Sequence, residues 1–263
     1  MRSKPAIRCL LVLLPLLMAI FPAAVFAQLT PFNESGVTMG HVHLLVPDPE
    51  AHKKLWVDLL GAQIGHAGQL ELIKLPGIVI LINKPQPGAA PGEPTADHFA
   101  LAVKDLASIK QKLASANIQF PGGQALAEFP DGVRVEFIED KNIGVPVAFH
   151  HFHIFASDVE AIRNWYVKTF GGVEFPAGAN FPGGKMYFTA QSTPARVPSK
   201  GHPPDHISFD VRNLQEFSKK LEAQGTKPDM QIIDASSTIG LKVTFVTDPI
   251  GTRIELTEGL AAK

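Results

Sequence analysis

Six histidines and two glutamates recur at matching places in this chain. His41 and His43 stand two apart in His41-Val-His-Leu-Leu-Val-Pro-Asp48, and His151 and His153 do the same in His151-Phe-His-Ile-Phe-Ala-Ser-Asp158. His98 follows Asp97 and His206 follows Asp205; Glu136 and Glu255 each end a Gly-x-Arg-x-Glu run, at Gly132 to Glu136 and Gly251 to Glu255. Two neutral imidazoles and a carboxylate can hold a divalent ion on one side and leave open positions for a substrate or for oxygen, chemistry that suits Fe(II), Mn(II), Ni(II) or Zn(II). One strand histidine alone is more often a solvent-facing or hydrogen-bonded residue. The recurrence gives the set its weight.

Strand parity says which residues share a face. Side chains alternate across a strand, so Val42, Leu44 and Val46 turn to the core while His41 and His43 turn away from it. Phe99, Leu101 and Val103 likewise leave His98 on the open face, and Val135 and Phe137 leave Arg134 and Glu136 there. The second copy repeats the pattern with His151 and His153, then His206, then Arg253 and Glu255. Each copy thus offers His, His and Glu on a sheet face that its helices do not cover.

The elements that must carry these residues come as a fourfold repeat of an alternating strand running into an amphipathic helix. Asp48 and Asp158 are suited to cap helices carrying Leu55, Leu59 and Leu60, and Ile162, Trp165, Tyr166 and Phe170. Further helices are expected with Leu106, Ile109 and Leu113, and with Leu214, Phe217 and Leu221. Short strands follow at Leu70 to Leu75, Ile78 to Asn83, Arg134 to Glu139, Lys185 to Ala190 and Lys242 to Val246. The expected fold class is α+β: two tandem domains, residues 37–140 and 148–259 with a linker at 141–147, each a pair of βαβββ modules forming a curved mixed sheet around a concave site.

Residues 1–27 read as an export signal, followed by an N-terminal linker at 28–36. Arg2, Lys4 and Arg8 precede the apolar run Cys9 to Phe21, and Val25-Phe-Ala27 places small residues before Gln28. An uncleaved anchor helix is the competing reading, disfavoured by Pro15 and Pro22. Cleavage near Ala27 would give a periplasmic or secreted chain that is not membrane-embedded. It would also remove Cys9, the only cysteine, so any metal must sit on His, Asp or Glu. The chain has 24 Lys and Arg against 25 Asp and Glu. No basic surplus points to nucleic acid.

The quoted motifs resemble the vicinal oxygen chelate superfamily, which includes glyoxalases, bleomycin-resistance proteins and ring-cleaving dioxygenases. The resemblance rests on the first-strand His seven residues before a capping Asp, the later Asp-His, and the Glu after Phe129-Pro-Asp-Gly132 or Asp248-Pro-Ile-Gly251. It implies His41, His98 and Glu136, with His151, His206 and Glu255, as metal ligands. His43 and His153 would then be supporting or substrate-contacting groups. Arg134 and Arg253 would anchor an anionic substrate or make ion pairs. Glyoxalase-type sites carry a fourth, carboxylate ligand near Ile80 to Ile82 or near Tyr187, where this chain has none. Ring-cleaving dioxygenases place a His and a Tyr before the Asp-Pro turn, and Ser236 to Thr247 contains neither.

The expected function is therefore an exported enzyme holding one or two divalent ions and acting on a small oxygen-rich molecule, by dioxygenase, lyase or isomerase chemistry. The alternative is a metal-free protein that sequesters a small molecule. Either a monomer or a homodimer fits four modules in one chain, and whether a site is completed within one domain or across both stays open. Pro121-Gly-Gly123 and Pro182-Gly-Gly-Lys185 lack the spacing of a phosphate loop and read as turns.

Overall fold

The computed structural model describes residues 29–85, 88–123, 125–191 and 194–263. The export signal expected at 1–27 lies outside the described residues. Four modules follow one another. The first is β1 (Val37–Leu45), α1 (Pro49–Leu60), β2 (Gln63–Ala67), β3 (Leu70–Leu75) and β4 (Ile78–Asn83). The second is β5 (Ala96–Val103), α2 (Leu106–Ser115), β6 (Leu126–Glu128) and β7 (Arg134–Glu139). The third is β8 (Val147–Ala156), α3 (Val159–Phe170), β9 (Val173–Phe175), β10 (Gly178–Phe181) and β11 (Gly184–Ala190). The fourth is β12 (His206–Val211), α4 (Leu214–Ala223), β13 (Ile233–Ala235), β14 (Leu241–Thr247) and β15 (Arg253–Glu258). No helix among the described residues is long and apolar enough to cross a membrane.

Local chemistry sets the helix ends. Asp48 accepts from the Ala51 amide (3.0 Å) and Asp158 from the Ala161 amide (2.9 Å), which satisfies donors that a first helical turn leaves free. Gly61 and Gly171 end α1 and α3 with φ of 73° and 70°, a left-handed turn that a side chain would resist. In α1 the buried face is His52, Trp56 and Leu60, and Leu55 and Leu59 only flank it.

Two curved mixed sheets result, one of eight strands in the order β13-β14-β15-β12-β1-β4-β3-β2 and one of seven in the order β6-β7-β5-β8-β11-β10-β9. Each joins modules from different halves of the sequence. The first module pairs with the fourth through antiparallel β1 and β12, and the second with the third through antiparallel β5 and β8. The expectation that each tandem half folds its own sheet is corrected here. Parity fixes the face on which a side chain lies but not which neighbouring strand its module meets, and both pairings cover the same edges.

The helices keep the halves together in another way. Trp56 of α1 stacks on Phe129 (5.1 Å between ring centroids) and leans on Phe99 of β5 (5.8 Å), so it belongs to the second module's core as much as to its own. Phe170 of α3 stacks on Phe209 of β12 at 4.1 Å. Helices thus pack within a half while strands pair across halves, and one apolar core runs through both sheets. An aromatic pair of this kind adds about 0.5–1.5 kcal/mol beyond its burial.

The repeat places Tyr166 where the first half has Trp56, and Asp248 where it has Phe129. A stack in one half is therefore a hydrogen bond in the other: Tyr166 Oη donates to Asp248 Oδ2 at 2.9 Å. Asp248 also accepts from the amides of Ile250 (3.0 Å) and Thr252 (2.7 Å), but burial outweighs these bonds and pushes its carboxyl up to about 6. The folded chain holds that proton more tightly than the unfolded chain does. Stability from this group is therefore complete below the ordinary carboxylate pKa and declines as the pH rises through about 6. Two pKa units correspond to roughly 3 kcal/mol. In urea titrations, Asp248→Asn should lose less stability than the wild type between about pH 4 and about pH 7, because the amide oxygen still accepts from the turn without charging.

Candidate metal centres

Pairing β1 with β12 sets His43 opposite His206, and β15 runs beside β12 with Glu255 opposite Ser208. The outer centre forms there. His41 Nε2 lies 3.2 Å from His206 Nε2 and 3.4 Å from Glu255 Oε2, and His206 Nε2 lies 2.7 Å from the same carboxylate oxygen. These separations suit donors about a right angle apart around an ion with bonds of about 2.1 Å. All three side chains are buried, yet His206 and Glu255 line a cleft of about 1070 Å³.

The inner centre forms in the same way where β5 meets β8, with Ala100 opposite His151 and His98 opposite His153. Glu136 Oε2 lies 3.3 Å from His151 Nε2 and 3.5 Å from His98 Nε2. Both of those buried nitrogens lack a hydrogen-bond partner. The groups that come together are thus His41, His43, His206 and Glu255, and His98, His151, His153 and Glu136. All six expected ligand residues fall in these groups, and the question left open by the sequence, within one half or across both, resolves as across: each first-strand histidine lies with the groups of the other half. The cross-half sheet pairing is the physical reason.

Each centre has a supporting shell. Asp205 Oδ1 accepts from His206 Nδ1 at 2.5 Å and from Arg253 at 2.8 Å, and its Oδ2 accepts from the Gly201 amide at 2.6 Å. Asp97 Oδ2 accepts from His98 Nδ1 at 2.7 Å, and its Oδ1 accepts from Arg134 (2.8 Å) and Arg196 (2.7 Å). The two arginines before the glutamates therefore pair with the aspartates that orient the histidines, not with Glu136 or Glu255. Arg196 has no counterpart in the first half, so the repeat gave no signal for it. The loop that carries it also supplies Gly201, so one loop braces both centres.

Residues 148–256 match the model of the Glyoxalase/Bleomycin resistance protein/Dioxygenase superfamily. That segment is a domain of this superfamily. Glyoxalase I of Zea mays has the same fold: 15% identity, a TM-score of 0.65, and coverage of 86% of this chain and 94% of that one. A variant of that enzyme superposes with a TM-score of 0.67 at 15% identity, covering 86% of this chain and 95% of that one. A Bacillus subtilis protein described as a candidate dioxygenase gives 0.63 at 12% identity, covering 89% and 86%. At such identities the likeness is one of fold. No curated protein matches the sequence.

Within this fold the two centres orient their first-strand histidine by opposite means. Both first strands carry a bulge at that point, visible as a register shift between Met39 and Val42 and opposite Ala100 and Leu101. The extra residue is Gly40 in β1 and His150 in β8, which the repeat makes equivalent. In the outer centre Ser208 Oγ, across the strand, lies 2.8 Å from His41 Nδ1 and accepts from the His41 amide at 2.6 Å. In the inner centre the facing residue is Ala100, and His150 Nδ1 contacts His151 Nδ1 at 2.8 Å. Parity alone assigns His150 to the wrong face; the bulge re-aims it.

Electrostatics differ within each set. Burial lowers His41, and burial with neighbouring imidazoles brings His43 to about 3, His151 to about 2 and His153 to about 4, so these rings stay neutral. Burial also opposes charge on His206 and His98, but Asp205 with Glu255, and Asp97 with Glu136, outweigh it and raise both. Burial would raise Glu255, yet His41 and His206 hold it well below the usual carboxylate range.

A Cβ added to Gly40 would lie 2.3 Å from Ser208 Oγ. Gly40→Ala should therefore destabilise the chain by about 1–3 kcal/mol. In the Ser208→Ala background, which copies the inner centre's Ala100, most of that cost should vanish. Urea midpoints of the two single variants, the double variant and the wild type measure the coupling.

Proposed function

We propose that the chain is a divalent-metal-dependent enzyme, acting outside the cytoplasm on a small oxygen-rich molecule bound in the cleft beside the outer centre. The observation that carries this reading is the convergence of His41, His206 and Glu255 to within 2.7–3.4 Å of one another at that cleft. His98, His151 and Glu136 make the corresponding second site, giving one or two ions per chain. The residues fit a cation: two buried imidazole nitrogens of the inner centre face a carboxylate with no hydrogen-bond partner, and buried polar atoms are rarely left so. The orienting aspartates likewise match the carboxylate-histidine support that ligating imidazoles receive.

A bound divalent ion would polarise neighbouring oxygens of the substrate as a Lewis acid. The chain's own groups would position that substrate. Arg253 is held over the Phe245 ring at 3.9 Å and against Asp205, so it presents a fixed positive charge at the cleft. Lys84 and Lys200 add further cationic groups, and Leu45 and Ile82 supply apolar wall. The cleft's size also supports a second reading, in which it sequesters a small molecule without metal; ligand binding would then survive chelation.

Metal analysis tests the proposal. His41→Ala and Glu255→Ala should each remove the same single ion and leave the other. Combining His41→Ala with Glu136→Ala should remove both, although those residues lie in the same half of the sequence. Uptake should also weaken as the pH falls from about 8 to about 6. His206 and His98, raised above the ordinary imidazole value, must give up a proton to a metal, and the protonated form prevails at the lower pH. Calorimetric titration with Mn(II) or Co(II) reads both effects. A folded protein with no uptake in any preparation would leave the metal-free reading.

A further inference from the structure

We propose that His43 and His153 are protein ligands of the two centres, each binding through Nδ1, so that each centre is a three-imidazole, one-carboxylate site. This rests on the metal reading above. One ring nitrogen of each lies within 4.8 Å of the other three donors of its cluster. The Nε2 of each is already engaged: His43 Nε2 lies 2.6 Å from Asn83 Oδ1 and His153 Nε2 lies 2.7 Å from Thr189 Oγ1. An amide oxygen only accepts, so His43 Nε2 carries the hydrogen and its Nδ1 keeps the lone pair. Thr189 can accept in the same way. Both Nδ1 atoms are buried and without a hydrogen-bond partner. A buried lone pair without a donor is costly, and a shared cation is the partner that all four side chains of each cluster could satisfy together.

The two orienting residues hold equivalent places. Asn83 of β4 lies opposite Leu45, and Thr189 of β11 lies opposite Phe155, each two residues beyond the histidine's own register partner, Leu81 or Tyr187. An amide in one centre and a hydroxyl in the other give the same result. The last strand of the module thus supplies an orienting group where it carries no carboxylate, and the first strand supplies the additional ligand. Four protein donors close a tetrahedral ion but leave two positions on an octahedral one. Such centres favour Fe(II), Mn(II), Ni(II) or Co(II) over Zn(II) for work on a substrate that binds through two oxygens.

The test uses the intact chain loaded anaerobically with Co(II), compared with His43→Ala, His153→Ala and Asn83→Leu. X-ray absorption should count three imidazoles per cobalt in the wild type. Each histidine variant should lower that count, shift the visible cobalt bands and weaken one of two bound ions by at least about tenfold. Asn83→Leu should weaken the outer ion by about tenfold, as loss of an orienting partner does. Circular dichroism checks folding, and the wild-type count stands without any variant. Two tightly bound ions with two imidazoles each, and cobalt bands unchanged in His43→Ala, would overturn the additional ligand and leave the metal reading intact. No cobalt uptake by folded wild type would overturn both.

Discussion

The antiparallel pairing of β1 with β12, and of β5 with β8, is the constraint on which the rest of this structure depends. It sets His43 opposite His206 and His98 opposite His153, so imidazoles from different halves of the chain face one another across a backbone ladder. The parallel neighbours β15 and β7 then bring Glu255 and Glu136 alongside. Neither half could assemble the same centre alone. The helices work in the opposite sense, tying β5 to α1 and β12 to α3 through aromatic stacks, so each centre rests on a core to which both halves contribute.

Placing these groups side by side under burial has electrostatic consequences that the surrounding loops offset. A buried carboxylate beside imidazoles is stable only when its charge and hydrogen bonds are met. Asp205 and Asp97 each meet a histidine on one side and arginine on the other, and the segment from Arg196 to Gly201 reaches both aspartates. Thr252 Oγ1 donates to Thr95 Oγ1 at 2.9 Å, a buried link between the strand approaches to the two centres. The centres are therefore joined by backbone, loop and side chain.

Much of this was legible in the sequence because it is written in periodicity. Alternation in His41 to Val46 and in Phe99 to Val103 shows the open face, and the repeated Asp-His and Arg-x-Glu runs show which residues lie on it. The capping aspartates Asp48 and Asp158 mark the helix starts. The partner of each module was not legible, since His41 faces the same way whether β1 lies beside β5 or β12. The short strands β2, β6, β9, β10 and β13 were also missed; they hold three to five residues and carry little alternation of their own. His150 escaped notice because a bulge reverses its parity. Asn83 and Thr189 did so because an orienting side chain is known only from what it touches.

The most direct test is anomalous diffraction from crystals of the intact chain loaded with Co(II). A cobalt peak bonded by His41 from the first half together with His206 and Glu255 from the second is the expected result. A peak bonded instead by His41, His98 and Glu136, or ordered crystals of cobalt-soaked protein with no peak at either centre, would contradict it.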